Sequence, residues 1–182
     1  MTTKKNAPGW IDVKAKLVSF SLAGLLGLIQ DIYALSRDNQ AFLHARLGIG
    51  DDPLKPYRAT ITRWICPDIY KNHHTSIAKA KKAISDYKKA IGHPDGVAEL
   101  SVFYCEEVFV FLSGCGMEDE GYYSALVRMF DQAINSVMAL PETKRQQLLS
   151  RLDLVRAAGQ QIGWGVGEDF DSLWFSALPE SE

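Results

Sequence analysis

A chain of 182 residues, 47% hydrophobic and 23% charged, is long enough to bury a core of its own. Its composition excludes a wholly disordered protein, a fibrous repeat and a disulfide-stapled miniprotein. The net charge of −2 conceals a dipolar layout: residues 1–93 carry 15 Lys and Arg against 7 Asp and Glu, residues 94–182 carry 5 against 15. Such a layout suits a basic surface for an anionic partner or two halves that attract each other, and the second reading is preferred.

A single domain over residues 1–182 is expected, with 1–9 and 178–182 as flexible tails. Asp12 is read as the cap of a short helix reaching Phe20, and Ser21 as the cap of a helix from Leu22 to Ser36. In the latter, Leu25, Leu28, Ile29, Ile32 and Leu35 follow helical spacing. The apolar run from Leu17 to Ile29 lies behind Lys14 and Lys16 like a signal-peptide core. It is too short to cross a bilayer and lacks a small-residue cleavage site, so a buried helix of a cytoplasmic protein is expected. Asp38 or Asn39 opens a third helix, Gln40 to Leu47. Pro53 begins a fourth, with Tyr57, Ile61, Trp64 and Ile65 as its stripe before Pro67.

After a polar connection, 67–75, Ser76 or Thr75 caps a helix carrying Ile77, Ala80, Ile84, Tyr87 and Ile91. Residues 96–113 form the element around which the rest is organised. They are apolar around most of the helical circumference, which belongs at the centre of a fold. The segments resemble strand sequences too, but a run this long without a turn signal favours a helix. Ser113, Gly114, Cys115 and Gly116 supply the stop. Asp119 caps the next helix (Tyr123, Leu126, Val127, Phe130, Ala133, Ile134, Val137), and Pro141 starts another (Leu148, Leu152, Val155, Ile162). The glycine-rich turn 163–167 leads to a short helix from Phe170 to Ala177.

The fold class is all-α, eight or nine helices in antiparallel hairpins, as a bundle or a short HEAT-like stack. An internal echo supports the hairpins: Tyr87, Ala90 and Ile91 recur as Phe130, Ala133 and Ile134, an offset of 43 residues, each copy running into a proline.

Four pieces together resemble a known family. They are Leu25–Leu35 with Asn39–Leu47 (containing the FLxAR pattern Phe42-Leu43-His44-Ala45-Arg46), Tyr57-Arg58 with Ile61, Lys81–Ala90, and Ile162-Gly163-Trp164-Gly165. In that order they are similar to small, uncharacterised all-helical bacterial proteins, a domain of unknown function. The likeness runs over roughly residues 14–174 and departs around Ile69–Thr75. It implies an all-helical bacterial protein and carries over no catalytic residue.

Of the candidate sites, Glu107 stands out. On a helical wheel Glu99 and Glu106 form a polar edge, whereas Glu107 falls between Phe103 and the Leu100–Phe111 arc. A carboxylate inside an apolar arc needs a partner, so a buried ion pair with Arg46 or Arg128 is the preferred reading. The alternative is a ligand-facing acid that shares an internal pocket with Arg46, with Arg128 and Trp164 as further candidate ligand-binding residues. Trp164 is expected to pack on the bundle from its turn. Gly163, Gly165 and Gly167 lack the preceding strand that a phosphate loop needs. His73 and His74 near Cys66 and Asp68 match no zinc spacing, so no metal is expected. The odd count of Cys66, Cys105 and Cys115 reads as reduced thiols.

Lys79, Lys81, Lys82, Lys88 and Lys89 form rows opposite Ile77, Ile84 and Tyr87. A solvated face is preferred over a nucleic-acid surface because no aromatic residues interleave. The expected function is therefore a cytoplasmic, non-catalytic interaction or scaffold module without a cofactor, using a protein partner or self-association. The alternatives are a small-molecule or anion binder at Glu107 and Arg46, which could be enzymatic, and a nucleic-acid-associated protein using Lys79–Lys89. No membrane partner is expected.

Overall fold

A computed structural model describes residues 7–114 and 119–178, apart from the side chain of Ile69. Residues 1–6 and 179–182 of the expected tails 1–9 and 178–182, and Cys115-Gly116 of the expected stop, lie outside the described residues. These residues form helices throughout, with no strand among them, so the all-α expectation holds. The chain divides into two compact units, residues 1–43 and 44–182, where the sequence suggested one domain.

The first unit holds α1 (Trp10–Leu17), α2 (Leu22–Leu35) and the start of α3 (Arg37–Leu47). Asp12 is inside α1 rather than capping it. Its carboxylate reaches back to accept from the Gly9 amide at 2.7 Å. Ser21 caps α2 as expected, accepting from Gly24 N at 3.1 Å. α3 opens earlier than its acidic residues suggest, because Ser36 takes the Asn39 amide at 3.1 Å. The Asn39 side chain then donates to the Ile32 carbonyl at 2.7 Å and ties the α2–α3 corner. No two helices of this unit pack along their length. α2 is not the buried helix its composition predicts: none of its residues is buried. Among the described residues no helix is long and apolar enough to cross a membrane.

The second unit holds the end of α3, α4 (Lys55–Ile65), a 3₁₀ turn (Ile69–Lys71), α5 (Ile77–Ala90), α6 (Pro94–Gly114), α7 (Glu120–Met138), α8 (Glu142–Gly159) and α9 (Val166–Ala177). Pro94 opens α6 rather than only ending α5, as its missing N–H allows at a first turn. α9 begins well before Phe170, because Gly165 supplies the left-handed residue (φ 73°) from which Val166 enters the helix.

Consecutive helices pair antiparallel. Tyr57 near the start of α4 meets Tyr87 near the end of α5 edge-on at 5.4 Å. Phe111 at the end of α6 meets Tyr122 at the start of α7 at 6.0 Å. In the α8–α9 pair, a Cβ added to Gly159 would come within 2.6 Å of the Phe170 ring, so the two helices meet where the side chain is only hydrogen.

α6 packs against α4, α5, α7 and α8, the central position its apolar circumference demands. Leu100, Val102, Tyr104, Cys105 and Val108 are buried on it with Phe130 and Leu126 of α7 and Phe170 of α9. Ser101, the buried polar residue of the core, donates to the Val97 carbonyl at 2.9 Å within its own helix. Burial pushes the Cys105 thiol far above its usual range, as expected of a cysteine acting as a small hydrophobe.

Candidate functional site

A cleft of about 710 Å³ opens between the Asp52–Arg58 segment, the α5–α6 corner and α8. Its polar wall is a charge ladder. Arg151 on α8 grips Glu106 bidentately, Nε and Nη2 each donating at 2.7 Å, and donates from Nη1 to Glu99 at 2.7 Å. Glu99 faces Arg58 of α4 at 3.6 Å, and Arg58 donates to Asp52 at 2.9 Å. Glu99 and Glu106 lie seven residues apart on one edge of α6, so a planar guanidinium from the neighbouring helix can meet both. Hydrogen bonds to these two carboxylates drive the Arg151 pKa above its usual value against the cost of burial.

Across the cleft Lys144 pairs with Asp95 and holds its carboxyl below the usual carboxylate range. Between these walls Tyr87 lies on the bare backbone of Gly96, where an added Cβ would fall 2.0 Å from the phenol oxygen. Burial, reinforced by Asp95, pushes the Tyr87 phenol above its ordinary pKa, so it stays a neutral donor. The three Lys and Arg side chains lining the cleft are thus each engaged by carboxylates, while Tyr87 and His93 offer donor or acceptor atoms.

The residues singled out from sequence do not converge. Glu107 is half-buried on α6, and among the described residues no ion pair joins it to Arg46 or Arg128. The wheel gives its direction but not which cation comes within reach. Arg46 instead donates to the Ala90 carbonyl at 3.1 Å and so caps the end of α5. It lines a separate cleft of about 390 Å³ with Gly48, Ile49 and His93, which Glu107 does not line.

Arg128 and Trp164 do line one cleft, of about 290 Å³, with Glu120, Tyr123 and Asp169. Trp164 packs on the bundle through one face only. Its ring lies parallel to Tyr123 at 6.0 Å, 64% exposed, on a left-handed backbone with φ 63°.

The lysine face is less uniformly positive than its spacing suggests. Lys82 and Lys89 share Asp86, and Lys79 sits 3.9 Å over the Trp64 ring. Lys81 is half-buried, and its pKa is lowered by burial and by the positive charge of Arg128. Among the described residues no group of three or more His, Cys, Asp or Glu is placed to hold a metal ion.

Sequence reading missed Arg151, whose acidic partners are 45 and 52 residues away. The polar edge of Glu99 and Glu106 was visible, but nothing local assigns α8 to it. No family model, curated protein or solved structure matches this chain.

Proposed function

We propose that this protein is a non-catalytic interaction module that docks a partner helix on α2. One observation carries this reading. Leu22, Leu26 and Ile29 form a row along α2 and are 74%, 59% and 45% exposed. Exposed apolar side chains scattered singly need no explanation, but a continuous row of three on one helix face does. Their spacing of four and three residues is that of a seam between two helices.

The second unit supplies a stable core, and the charge ladder is a helix-to-helix clamp rather than a catalytic set. The test is affinity capture from a bacterial lysate. The wild-type chain is expected to retain a defined protein, either itself or another, and Leu26→Asp with Ile29→Asp to lose it. Equal recoveries from both would overturn the reading.

A second reading rests on the 710 Å³ cleft, whose size suits a small molecule and whose floor presents the Tyr87 hydroxyl. In that case a metabolite screen is expected to yield a compound that raises the Tm of wild type but not of Tyr87→Phe. A screen without hits counts against it.

A further inference from the structure

Resting on the reading of the 710 Å³ cleft as a small-molecule site, we propose that its ligand is an uncharged sugar, held through hydroxyl groups and not through charge. The cleft lies wholly within the second unit. With histidine counted as neutral, its charged lining cancels: Asp52, Asp95 and Glu99 stand against Arg58, Lys144 and Arg151. The cancellation is local as well as formal. Each of the six has an opposite partner within the same lining.

These pairs argue against an ionic ligand. Glu99 is shared by two arginines, and Arg151 commits Nε and both Nη atoms to carboxylates at 2.7 Å. An anion would have to displace one of those carboxylates or lie beside it. A cation would have to displace an arginine or Lys144. Either exchange gives up one charge-assisted hydrogen bond to gain another. An uncharged ligand leaves every pair intact.

One group in the cleft is unmatched. Tyr87 is only 3% exposed, its hydroxyl lies on the backbone of Gly96 in the cleft floor, and among the described residues it forms no hydrogen bond. A hydroxyl so enclosed is costly to leave unpaired, so it marks where a polar atom of a ligand is wanted.

The walls select among uncharged ligands. Salt-bridged side chains keep spare N–H donors beside spare carboxylate lone pairs, and a hydroxyl, which both donates and accepts, matches such a surface. Gln147 and His93 add further donor and acceptor atoms. A hydrocarbon would strip water from these groups and return no hydrogen bond. A planar heterocycle would need an open ring face, but the Tyr87 ring is pressed on Gly96 and meets Tyr57 at 5.4 Å. Leu54, Ile91, Leu140 and Leu148 supply apolar lining on which the C–H faces of a sugar ring can lie.

The experiment uses the full chain near neutral pH. Glucose, galactose and mannose are titrated to about 20 mM, enough to saturate a millimolar site, while NMR follows the backbone amides. At least one should shift the Gly96 and Gln147 amides saturably. The C6 carboxylate and the C6 amine of that hexose should bind about tenfold more weakly or worse. Tyr87→Phe keeps the ring on Gly96 and should weaken binding about 2- to 10-fold, the worth of one neutral hydrogen bond. Lys144→Met leaves Asp95 without its cation, so it should move the preference toward the C6 amine.

A charged form that binds more tightly than its parent hexose overturns the proposal. So does an affinity that ignores Tyr87→Phe, or a preference that Lys144→Met leaves unchanged. Absence of shifts with all three hexoses overturns it too, and the metabolite screen then separates two cases. A compound of another class that stabilises wild type but not Tyr87→Phe sinks the sugar and keeps the cleft. An empty screen sinks both.

Discussion

α2 and α6 are both strongly apolar helices, and their surroundings are opposite. α6 has nine buried residues and packs against helices on both sides of it in sequence, whereas none of the residues of α2 is buried. Apolar composition therefore states a demand for partners without saying where they are met. In α6 the demand is met by helices that follow and precede it closely in sequence. In α2 the demand is not met by burial: Leu22, Leu26 and Ile29 are left exposed.

The sharpest test compares leucines. Leu100→Ala on α6 removes a fully buried side chain from a packed core. It should cost about 2–5 kcal/mol in urea unfolding, as buried leucine truncations do. Gly96→Ala attacks the same helix by overfilling, since the new methyl group must displace the Tyr87 ring. A loss of about 1–3 kcal/mol is expected. An unchanged midpoint would mean that the α5–α6 approach is looser than described.

Arg151→Leu tests whether the polar edge of α6 is clamped. It leaves Glu99 and Glu106, both only partly shielded, without their main cation. The expected cost is about 1 kcal/mol after solvent screening. A double-mutant cycle with Glu106→Gln should recover part of it as pairwise coupling.

Lys144→Met should have a smaller, pH-dependent effect. Lys144 lowers the Asp95 pKa in the folded state, so the pair stabilises the fold above the ordinary carboxylate range and loses that contribution as pH falls. The Tm gap between wild type and variant should therefore be widest near neutrality and close on acidification. A gap that widens in acid would contradict the geometry.

Smallest of all, Leu26→Ala on α2 should change unfolding by no more than about 0.5 kcal/mol, since the side chain is largely exposed. A core-sized loss there would erase the distinction between the two helices.

Local chemistry was readable in the sequence where its partners are local. Ser21 and Asp119 cap helices as their positions suggest, and the circumference of 96–113 marked the hub. What failed depended on distant neighbours. Glu107 was assigned a cation from its wheel position, yet the acids that gain one are Glu99 and Glu106, because α8 lies along that edge. Arg46, weighed both as a cap for its own helix and as a partner for an acid across the core, caps the end of α5 instead. The start of α9 was missed because Gly165 and Gly167 read as a turn, while only Gly165 has a positive φ. The exposure of α2 was invisible because the same composition describes a helix buried in a core and one left at the surface.

The topology of the second unit also bears on how α6 avoids aggregation while the chain is being made. Helices are synthesised in chain order, so α4 and α5 are available before α6 is complete. The α4–α5 pair can close before α6 is complete, and α6 then emerges beside an apolar surface ready to receive it. α7, next in the chain, covers a second side. The flank left open longest is the one that waits for α8, and it carries Glu99 and Glu106. The most apolar helix of the second unit thus shows its charged edge to the cell for as long as its last neighbour is missing.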